Sequence, residues 1–336
     1  MGVLAGFGRL GIYFPLPDII IHHGAIMVGG FLGTLISLEK VIPLKKKPFL
    51  LVPVLSAMSM VAFVFGKFEA GIVLLICAST GFAWALSIYA YHHKEYYQYI
   101  MLGGALCWLT GNIMLLFQRF YPVAFPWWMG FLLLTIVSER LELSRFLPVT
   151  SRAKGILFGF LCLFFAGLII PFHGPGNYFS GAALILISLW LMRYDIISVN
   201  VRKKGLTRFT GYALTCGYAA LLLDGIFLIG FPESIYAYDA VVHTFFLGFV
   251  FAMIFAHGPI ILPGVLGLPV KPYHPFLYVP LAMLISSVLV RATADAGLIA
   301  ETYRVASAWL SACAILLYFV TLLTLTIRSV RHAKVL

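Results

Sequence analysis

The sequence predicts an all-α protein: a polytopic transmembrane helix bundle with eleven full spans and a truncated N-terminal helix, twelve in the complete protein. Three observations predict this class. The composition is 62% hydrophobic and only 10% charged, apolar stretches of about 20 residues recur along the whole chain, and each ends at charge, proline or glycine. A mean hydropathy of +1.01 excludes a water-soluble domain. We therefore treat residues 1–336 as a single transmembrane helical domain.

The eleven spans follow in order from the apolar stretches. Each is close to the ~20 residues that cross a ~30 Å hydrocarbon core. The predicted spans are 19–37, 49–66, 70–92, 98–118, 125–141, 154–172, 177–196, 208–231, 238–257, 274–294 and 303–327. The segment before them, MGVLAGFGRLGIYFPLP, has neither the basic region nor the cleavage site of a signal peptide. We interpret it as the end of a helix whose beginning is missing.

The basic residues predict how the spans are oriented. If the first full span enters from the outside, 18 of the 23 lysines and arginines lie on the inside and five on the outside. Because cytoplasmic loops carry an excess of Lys and Arg, both termini are predicted to be cytoplasmic. The net charge of +11 then reflects membrane topology and does not indicate nucleic-acid binding. The five cysteines are isolated inside apolar runs, so they are interpreted as small apolar residues without a metal-ligand spacing.

A few small or polar residues inside the spans predict contacts between helices. The glycines of VGGFLG (28–33) give a small face for close helix packing, and Asn112 is predicted to hydrogen-bond a neighbouring helix. Asp224 is the deepest carboxylate. Because an ionisable group is costly inside a bilayer, Asp224 is expected to have a partner, for which Arg291 or a histidine is the candidate.

Two histidines on different spans are predicted to lie at the same depth below the outer face. His23 lies about four residues into an inward-running span, roughly 6 Å deep, and His243 about five residues into its own, roughly 7 Å deep. Axial bis-histidine ligation of haem requires two such neutral imidazoles. Asp239, four residues before His243, is predicted to accept its other ring N–H. Ordinary hydrogen bonds between helices explain the two histidines equally well.

A second group of histidines is predicted at the inner face. His257 lies fourteen residues after His243 and about 21 Å further in, so the two cannot share a metal. His274 begins the next span at a comparable depth, so His257 and His274 predict a second metal site or a proton-transfer site. The alternative is a structural histidine beside a loop, because the segment Pro259–Pro263 is expected to leave the helix.

Five segments together resemble a known bacterial family. They are HHGAIMVGGFLGTLISLEK (22–40), PWWMGFLLLTIVSERLELSR (126–145), LMRYDI (191–196), LTRF (206–209) and YDAVVHTFFLGFVFAMIFAHGPIILPGVLG (238–267). They resemble the NnrS-like membrane proteins over almost the whole chain. The resemblance implies a twelve-span protein of the bacterial inner (cytoplasmic) membrane that contains haem and copper and is linked to nitric oxide metabolism.

The chain is also distantly similar to subunit one of the haem-copper oxidases and nitric oxide reductases. With the N-terminal segment as the first helix, His23 lies on the second helix and His243 on the tenth. Those two helices supply the low-spin haem ligands in that superfamily. The segment HHGAIM resembles the superfamily's HG-x-x-M pattern, in which His22 is a rival to His23.

The chain departs from that superfamily at the copper ligands. The sixth and seventh helices, 125–141 and 154–172, contain no histidine. The resemblance therefore does not imply a centre that reduces oxygen or nitric oxide, and enzymatic activity is not predicted. Any copper site would use other residues, for which His257 and His274 are the candidates.

These observations predict a haem-binding integral membrane protein, associated with nitric oxide or respiratory stress metabolism. Its expected partners are membrane lipid and either nitric oxide or a respiratory electron-transfer protein, and no nucleic acid. The alternative is a membrane transporter or assembly factor without a cofactor. Transporters typically contain broken helices near the midplane and inverted repeats. Here the breaks fall at span ends and no repeat is evident, which favours the first hypothesis.

Overall fold

The computed structural model describes residues 2–11, 17–145, 147–231 and 235–333. Every regular element in this part is a helix, and it contains no strand. The α-helices are α1 (Gly2–Arg9), α2 (Pro17–Ile21), α3 (His23–Ala25), α4 (Thr34–Val41), α5 (Leu51–Val64), α6 (Phe68–His93), α7 (Tyr96–Gln118), α8 (Tyr121–Ser144), α9 (Ser151–Ile169), α10 (Gly176–Tyr194), α11 (Ile197–Asn200), α12 (Gly205–Gly230), α13 (Ala237–His243), α14 (Phe251–Val265), α15 (Tyr278–Asp295) and α16 (Thr302–Ala333). Two π-helices, π1 (Ile26–Gly33) and π2 (Thr244–Val250), and short 3-10 turns at Ile42–Leu44, Lys47–Leu50 and Pro275–Leu277 complete the order.

The predicted all-helical class is confirmed, and each of the eleven predicted spans overlaps a helix. Within the described ranges, ten helical stretches are long and apolar enough to cross a membrane. The helix α10, which corresponds to the predicted span 177–196, is not among these ten. The ten stretches indicate a multi-pass membrane protein. The number of spans and the side of the termini stay predictions, and Lys334, one of the inner basic residues, lies outside the described residues.

Large apolar side chains lie on the outside of the helices. Phe117 is 79% exposed, Ile169 77% and Phe65 72%. Exposing so much apolar surface to water would be costly, whereas lipid chains cover it without penalty. These surfaces therefore indicate contact with membrane lipid.

The chain divides into two compact units, Met1–Glu142 and Leu143–Leu336. The boundary falls near the end of α8, and the residues after it begin the second unit. Each unit is described by itself below. The prediction of a single domain stays a prediction.

In the first unit, the glycines of π1 pack against the neighbouring helices, as the sequence predicts. A Cβ at Gly30 would lie 2.7 Å from the Cβ of Met60 on α5. A Cβ at Gly33 would collide with the Trp108 ring on α7. Because only a hydrogen atom fits at these two positions, the helices approach closely along this face.

Asn112 joins three helices of the first unit and confirms its predicted role. Its Nδ2 donates to the Leu75 carbonyl at 3.2 Å and to Ser79 Oγ at 3.1 Å on α6. Its Oδ1 accepts a hydrogen bond of 3.1 Å from Trp128 Nε1 on α8. All polar atoms of the amide are thereby satisfied inside an apolar core, which is the condition for burying it.

In the second unit, α12 lies between α10 on one side and π2 with α14 on the other. A Cβ at Gly225 would lie 2.5 Å from the Gly181 carbonyl oxygen of α10. A Cβ at Gly248 of π2 would lie 2.7 Å from the Ala220 Cβ. Both faces of α12 therefore depend on small residues, and the helix is held at backbone distance from its neighbours.

Candidate functional site

Each unit contains a histidine that is followed closely by a π-helix. The helix π1 begins three residues after His23, and π2 begins directly after His243. π-helices are rare and occur frequently at functional sites. The rise of an α-helix predicts a separation of about 21 Å between His243 and His257. Because a π-helix has more residues per turn and a smaller rise per residue, π2 shortens that separation along the helix.

The imidazole of His243 is fixed by Asp239, one turn earlier on α13. His243 Nδ1 lies 3.0 Å from the Asp239 carbonyl oxygen and 3.1 Å from its carboxylate Oδ1. A carbonyl and a carboxylate oxygen only accept, so Nδ1 carries the hydrogen. In the neutral ring the lone pair is then on Nε2, the usual state of a histidine that ligates a metal. The contact that the sequence expected between these residues is present.

Two arginines from later helices converge on the same carboxylate. Arg291 of α15 donates to Asp239 through Nε at 2.9 Å and through Nη2 at 3.0 Å, and Arg304 of α16 donates at 3.1 Å. Arg304 Nε also donates to Asp295 at 2.6 Å. Bidentate, charge-assisted bonds of this kind hold a carboxylate ionised and fixed in orientation. Asp239 therefore contacts His243 as an ionised carboxylate that is held in a fixed orientation.

The rim of this cluster is aromatic and polar. The Arg304 guanidinium lies 3.7 Å from the centre of the Tyr236 ring, a cation–π contact. The Tyr236 hydroxyl donates to Glu301 at 3.0 Å, and this hydrogen bond raises the pKa of the hydroxyl. Tyr236 and Glu301 lie at the ends of spans, so the rim links the turn before α13 to the turn before α16.

His23 and His22 of the first unit have different surroundings. His23 Nδ1 donates to the Gly2 carbonyl at 2.9 Å, which again leaves the Nε2 lone pair in the neutral ring. The ring packs on α1, where a Cβ at Gly6 would lie 3.4 Å from its Cε1. His22 instead lies among aromatic rings, with Nδ1 2.8 Å from the Tyr121 hydroxyl and its ring stacked on Phe68. A hydroxyl either donates or accepts, so the tautomer of His22 is not fixed by this contact.

His257 and His274 each bind their local backbone. His257 Nδ1 donates to the Met253 carbonyl at 2.6 Å, one turn earlier on α14. His274 Nδ1 accepts the backbone N–H of Phe276 at 3.1 Å, which caps the turn before α15. Among the described residues, no group of three or more His, Cys, Asp or Glu is close enough to hold a metal ion. The prediction that His257 and His274 share a metal stays a prediction.

The segment Pro259–Pro263 is helical, so the expectation that it leaves the helix is wrong. The helix α14 continues from Phe251 to Val265 through both prolines. Pro259 has no N–H for the carbonyl of Phe255, four residues earlier. The Tyr318 hydroxyl of α16 donates to that carbonyl at 2.9 Å and thus replaces the missing bond. Gly258 makes this possible, because a Cβ there would collide with the hydroxyl.

Asp224 lies fully buried in α12 without the expected partner. Both carboxylate oxygens lack a hydrogen bond within the described part of the chain. Arg291, the proposed partner, binds Asp239 instead. Asp224 lies four residues after Ala220, which packs on Gly248 of π2, so the carboxyl is on the face of α12 that contacts π2. Such a group in a membrane span is a candidate for a functional role.

Arg304, Asp295 and Tyr318 belong to these networks but were not predicted from the sequence. A signal for the first two was available. Asp239, Arg291, Asp295 and Arg304 all fall near the predicted outer ends of their spans, and charges at equal depth in adjacent spans tend to pair. No comparable signal pointed to Tyr318, which is one tyrosine in a long apolar helix.

Comparison with known proteins gives a family without a described activity. The family described as "Domain of unknown function (DUF8744)" matches residues 1–327. No curated protein matches the chain, and no solved structure matches it.

Proposed function

The chain belongs to the family described as Domain of unknown function (DUF8744), and we propose from its own residues that it binds haem within the membrane. We place it in the bacterial cytoplasmic membrane, with eleven spans after the N-terminal helix and both termini in the cytoplasm. We assign it to nitric oxide or respiratory stress physiology, as the resemblance to NnrS-like proteins implies. The observation that carries the proposal is the contact of His243 with Asp239.

That contact supports His243 as a residue that would hold haem, for a chemical reason. A haem iron is held by an unprotonated imidazole nitrogen, and the other ring nitrogen normally donates to a carbonyl or carboxylate. His243 meets this condition, with Nδ1 held by Asp239. Arg291 and Arg304 neutralise the Asp239 charge, so the ring can be oriented without leaving an unpaired anion in the membrane.

The second residue that would hold the haem is proposed to be His23. This part rests on the sequence, which puts His23 and His243 at the same depth from the outer face. Within its own unit, His23 also donates its Nδ1 hydrogen to a carbonyl, so it has the tautomer that a ligand needs. His22 is the rival, and its Nδ1 contacts the Tyr121 hydroxyl instead of a carbonyl. Separate substitutions of His22 and His23 distinguish the two residues. Bound haem would supply one-electron chemistry.

The test is the absorption spectrum of detergent-purified protein after reconstitution with haem. We expect a Soret band and a six-coordinate low-spin spectrum in the unmodified protein. His243→Ala should abolish the low-spin spectrum, and Asp239→Asn should weaken haem binding by about 10-fold to 100-fold. His92→Ala, which changes an exposed histidine at the end of α6, should leave the spectrum unchanged. Added imidazole should restore a low-spin spectrum to His243→Ala, which separates loss of a ligand from loss of the fold.

Three results would count against the proposal. The absence of any Soret band in the reconstituted protein would refute haem binding. A low-spin spectrum that survives His243→Ala would mean that other residues hold the haem. A low-spin spectrum that survives His23→Ala but not His22→Ala would mean that His22, and not His23, is the second ligand. Metal analysis of the same samples tests the predicted copper ion at His257 and His274.

A second candidate, a proton-coupled transporter, is favoured by Asp224. This carboxyl is fully buried, lacks a hydrogen-bond partner among the described residues and lies in a 26-residue span. Buried acids of this kind take up and release protons in membrane pumps and transporters. In liposomes with an imposed pH gradient and an internal pH-sensitive dye, transport predicts a proton flux that Asp224→Asn abolishes. Haem binding alone predicts no flux and a Soret band that Asp224→Asn leaves unchanged.

A further inference from the structure

A cavity of about 230 Å³ lies in the first unit, where the chain turns between α4 and α5. The turn contributes one wall, which includes Lys46 and Phe49, and the last two turns of α6 contribute the other. The span that begins at His23 ends at Leu44, so this cavity and His23 are at opposite ends of that span.

The α6 wall is a single helical stripe with a gradient of polarity. Its five residues have the spacing i, i+3, i+4, i+7 and i+8, which is one face of an α-helix. At the deep end, Ala85 is buried and Ile88 half-buried, whereas His92 and His93, at the shallow end, are exposed. Between them the Tyr89 ring lies 4.2 Å from the His93 ring. The cavity is therefore apolar at its floor and basic at its mouth.

Positive charge is concentrated around this mouth. Lys46 belongs to the lining, and it has Lys45 and Lys47 as neighbours in the sequence. Lys94 follows the two histidines at the end of α6, and all of these lysines are exposed. Basic side chains at the cytoplasmic surface attract anionic lipid headgroups, and the positive-inside distribution of the sequence puts this mouth on the cytoplasmic side.

We propose that this cavity binds one phospholipid that has an anionic headgroup. The phosphate lies at the mouth, between Lys46 and the two histidines. The glycerol and the first part of one acyl chain lie over Tyr89 and Ile88, and the rest of the chains continues along the outside of α6. Phosphate chemistry is shared with free inorganic phosphate, but only a lipid uses the apolar floor as well as the basic mouth.

The proposal is independent of haem binding and is tested with three probes. Protein purified in a non-ionic detergent is titrated with phosphatidylglycerol, phosphatidylcholine or inorganic phosphate, and the bound fraction is measured by native mass spectrometry. We expect one molecule of phosphatidylglycerol to bind, with phosphatidylcholine about tenfold weaker because its headgroup has no net negative charge. Inorganic phosphate should not compete at equal concentration.

Two variants test separately how the mouth and the floor of the cavity contribute to lipid binding. The triple substitution of Lys46→Gln, His92→Gln and His93→Gln should weaken phosphatidylglycerol binding by about fivefold to tenfold. Ile88→Trp, which fills the cavity without changing charge, should weaken it as well. Circular dichroism and gel filtration identify a variant that has lost its fold, in which case the other variant carries the test.

A matched control removes the same number of basic residues from other inner segments. Lys203→Gln, Lys204→Gln and Lys271→Gln together should leave phosphatidylglycerol binding unchanged. Equal weakening by the control would assign the effect to net charge and overturn the proposal. Equal binding of phosphatidylglycerol and phosphatidylcholine would also overturn it. If inorganic phosphate bound as tightly as phosphatidylglycerol, the cavity would be a site for the free ion and the proposal would be overturned.

Discussion

The contact between Tyr318 and the carbonyl of Phe255 gives the sharpest test of how α14 tolerates its proline. We expect Tyr318→Phe to lower the free energy of unfolding, because the carbonyl freed by Pro259 loses the hydroxyl donor 2.9 Å away. The Tyr318 ring is fully buried and stacked on Phe255 at 3.8 Å. Phenylalanine keeps that stacking, so the change isolates the hydrogen bond. Such a bond contributes about 1 kcal/mol in a membrane protein.

The decisive comparison is a double-mutant cycle with Pro259→Ala. Alanine restores an N–H that can bond the Phe255 carbonyl within the helix, so Tyr318→Phe should then cost about 0–0.5 kcal/mol instead of about 1 kcal/mol. The coupling between the two positions is therefore expected to be about 0.5–1 kcal/mol. The cycle also subtracts the effect that replacing proline has on the unfolded chain.

The measurement is reversible unfolding in mixed micelles of increasing denaturing-detergent fraction, followed by far-UV circular dichroism. Tyr218→Phe is the control, because that hydroxyl donates to Asp195 at 2.5 Å, away from α14. Its cost should be the same in the unmodified protein and in the Pro259→Ala background. An equal cost of Tyr318→Phe in both backgrounds would refute the assignment of the hydroxyl to the proline gap.

Three further predictions use the same unfolding assay. Gly33→Ala should destabilise by about 1–3 kcal/mol, because its Cβ would collide with the buried Trp108 ring; Gly155→Ala, with open space around it, should instead stabilise by about 0.5–1 kcal/mol, and equal effects would contradict the packing. Asn112→Leu should cost about 1–2 kcal/mol, because it leaves the indole N–H of α8 without its acceptor; no loss would mean that the amide does not join the helices. Asp224→Leu should stabilise by about 1–3 kcal/mol, because it removes a buried carboxyl that has no hydrogen-bond partner among the described residues; a loss of stability would point to an unrecognised partner.

The sequence predicted the contacts that depend on a short separation along one helix. Asp239 and His243 are four residues apart, and the expected contact is present. The prediction failed where the helix departs from the ordinary period. Nothing in the residue types of π1 or π2 indicates the wider helical turn. The prolines of α14 predicted a break in the helix, which the hydrogen bond from Tyr318 prevents. Local rules describe an isolated helix, and a neighbouring helix overrides them by supplying the missing donor.

The charged cluster shows the same limit over longer separations. Arg291 is 52 residues from Asp239, and Arg304 is 65 residues from it. Their equal depth follows from the sequence, but depth alone also allowed Arg291 to pair with Asp224, and that pairing is wrong. The rotation of each helix about its axis decides which of two acids an arginine reaches, and hydropathy has no information about this rotation in helices that are apolar on all sides.

The sequence by itself determined that the chain is helical and where its apolar helices lie, because a lipid-embedded backbone must satisfy its own hydrogen bonds and a span has a fixed length. It also located the histidines His23 and His243 that carry the proposed function. Only the tertiary structure decided four other features: the π-helices, the arginines around Asp239, the burial of Asp224 without a partner among the described residues, and the basic cavity beside Lys46. These features depend on the rotation and axial offset of packed helices, which are set by side-chain contacts between segments far apart in the chain.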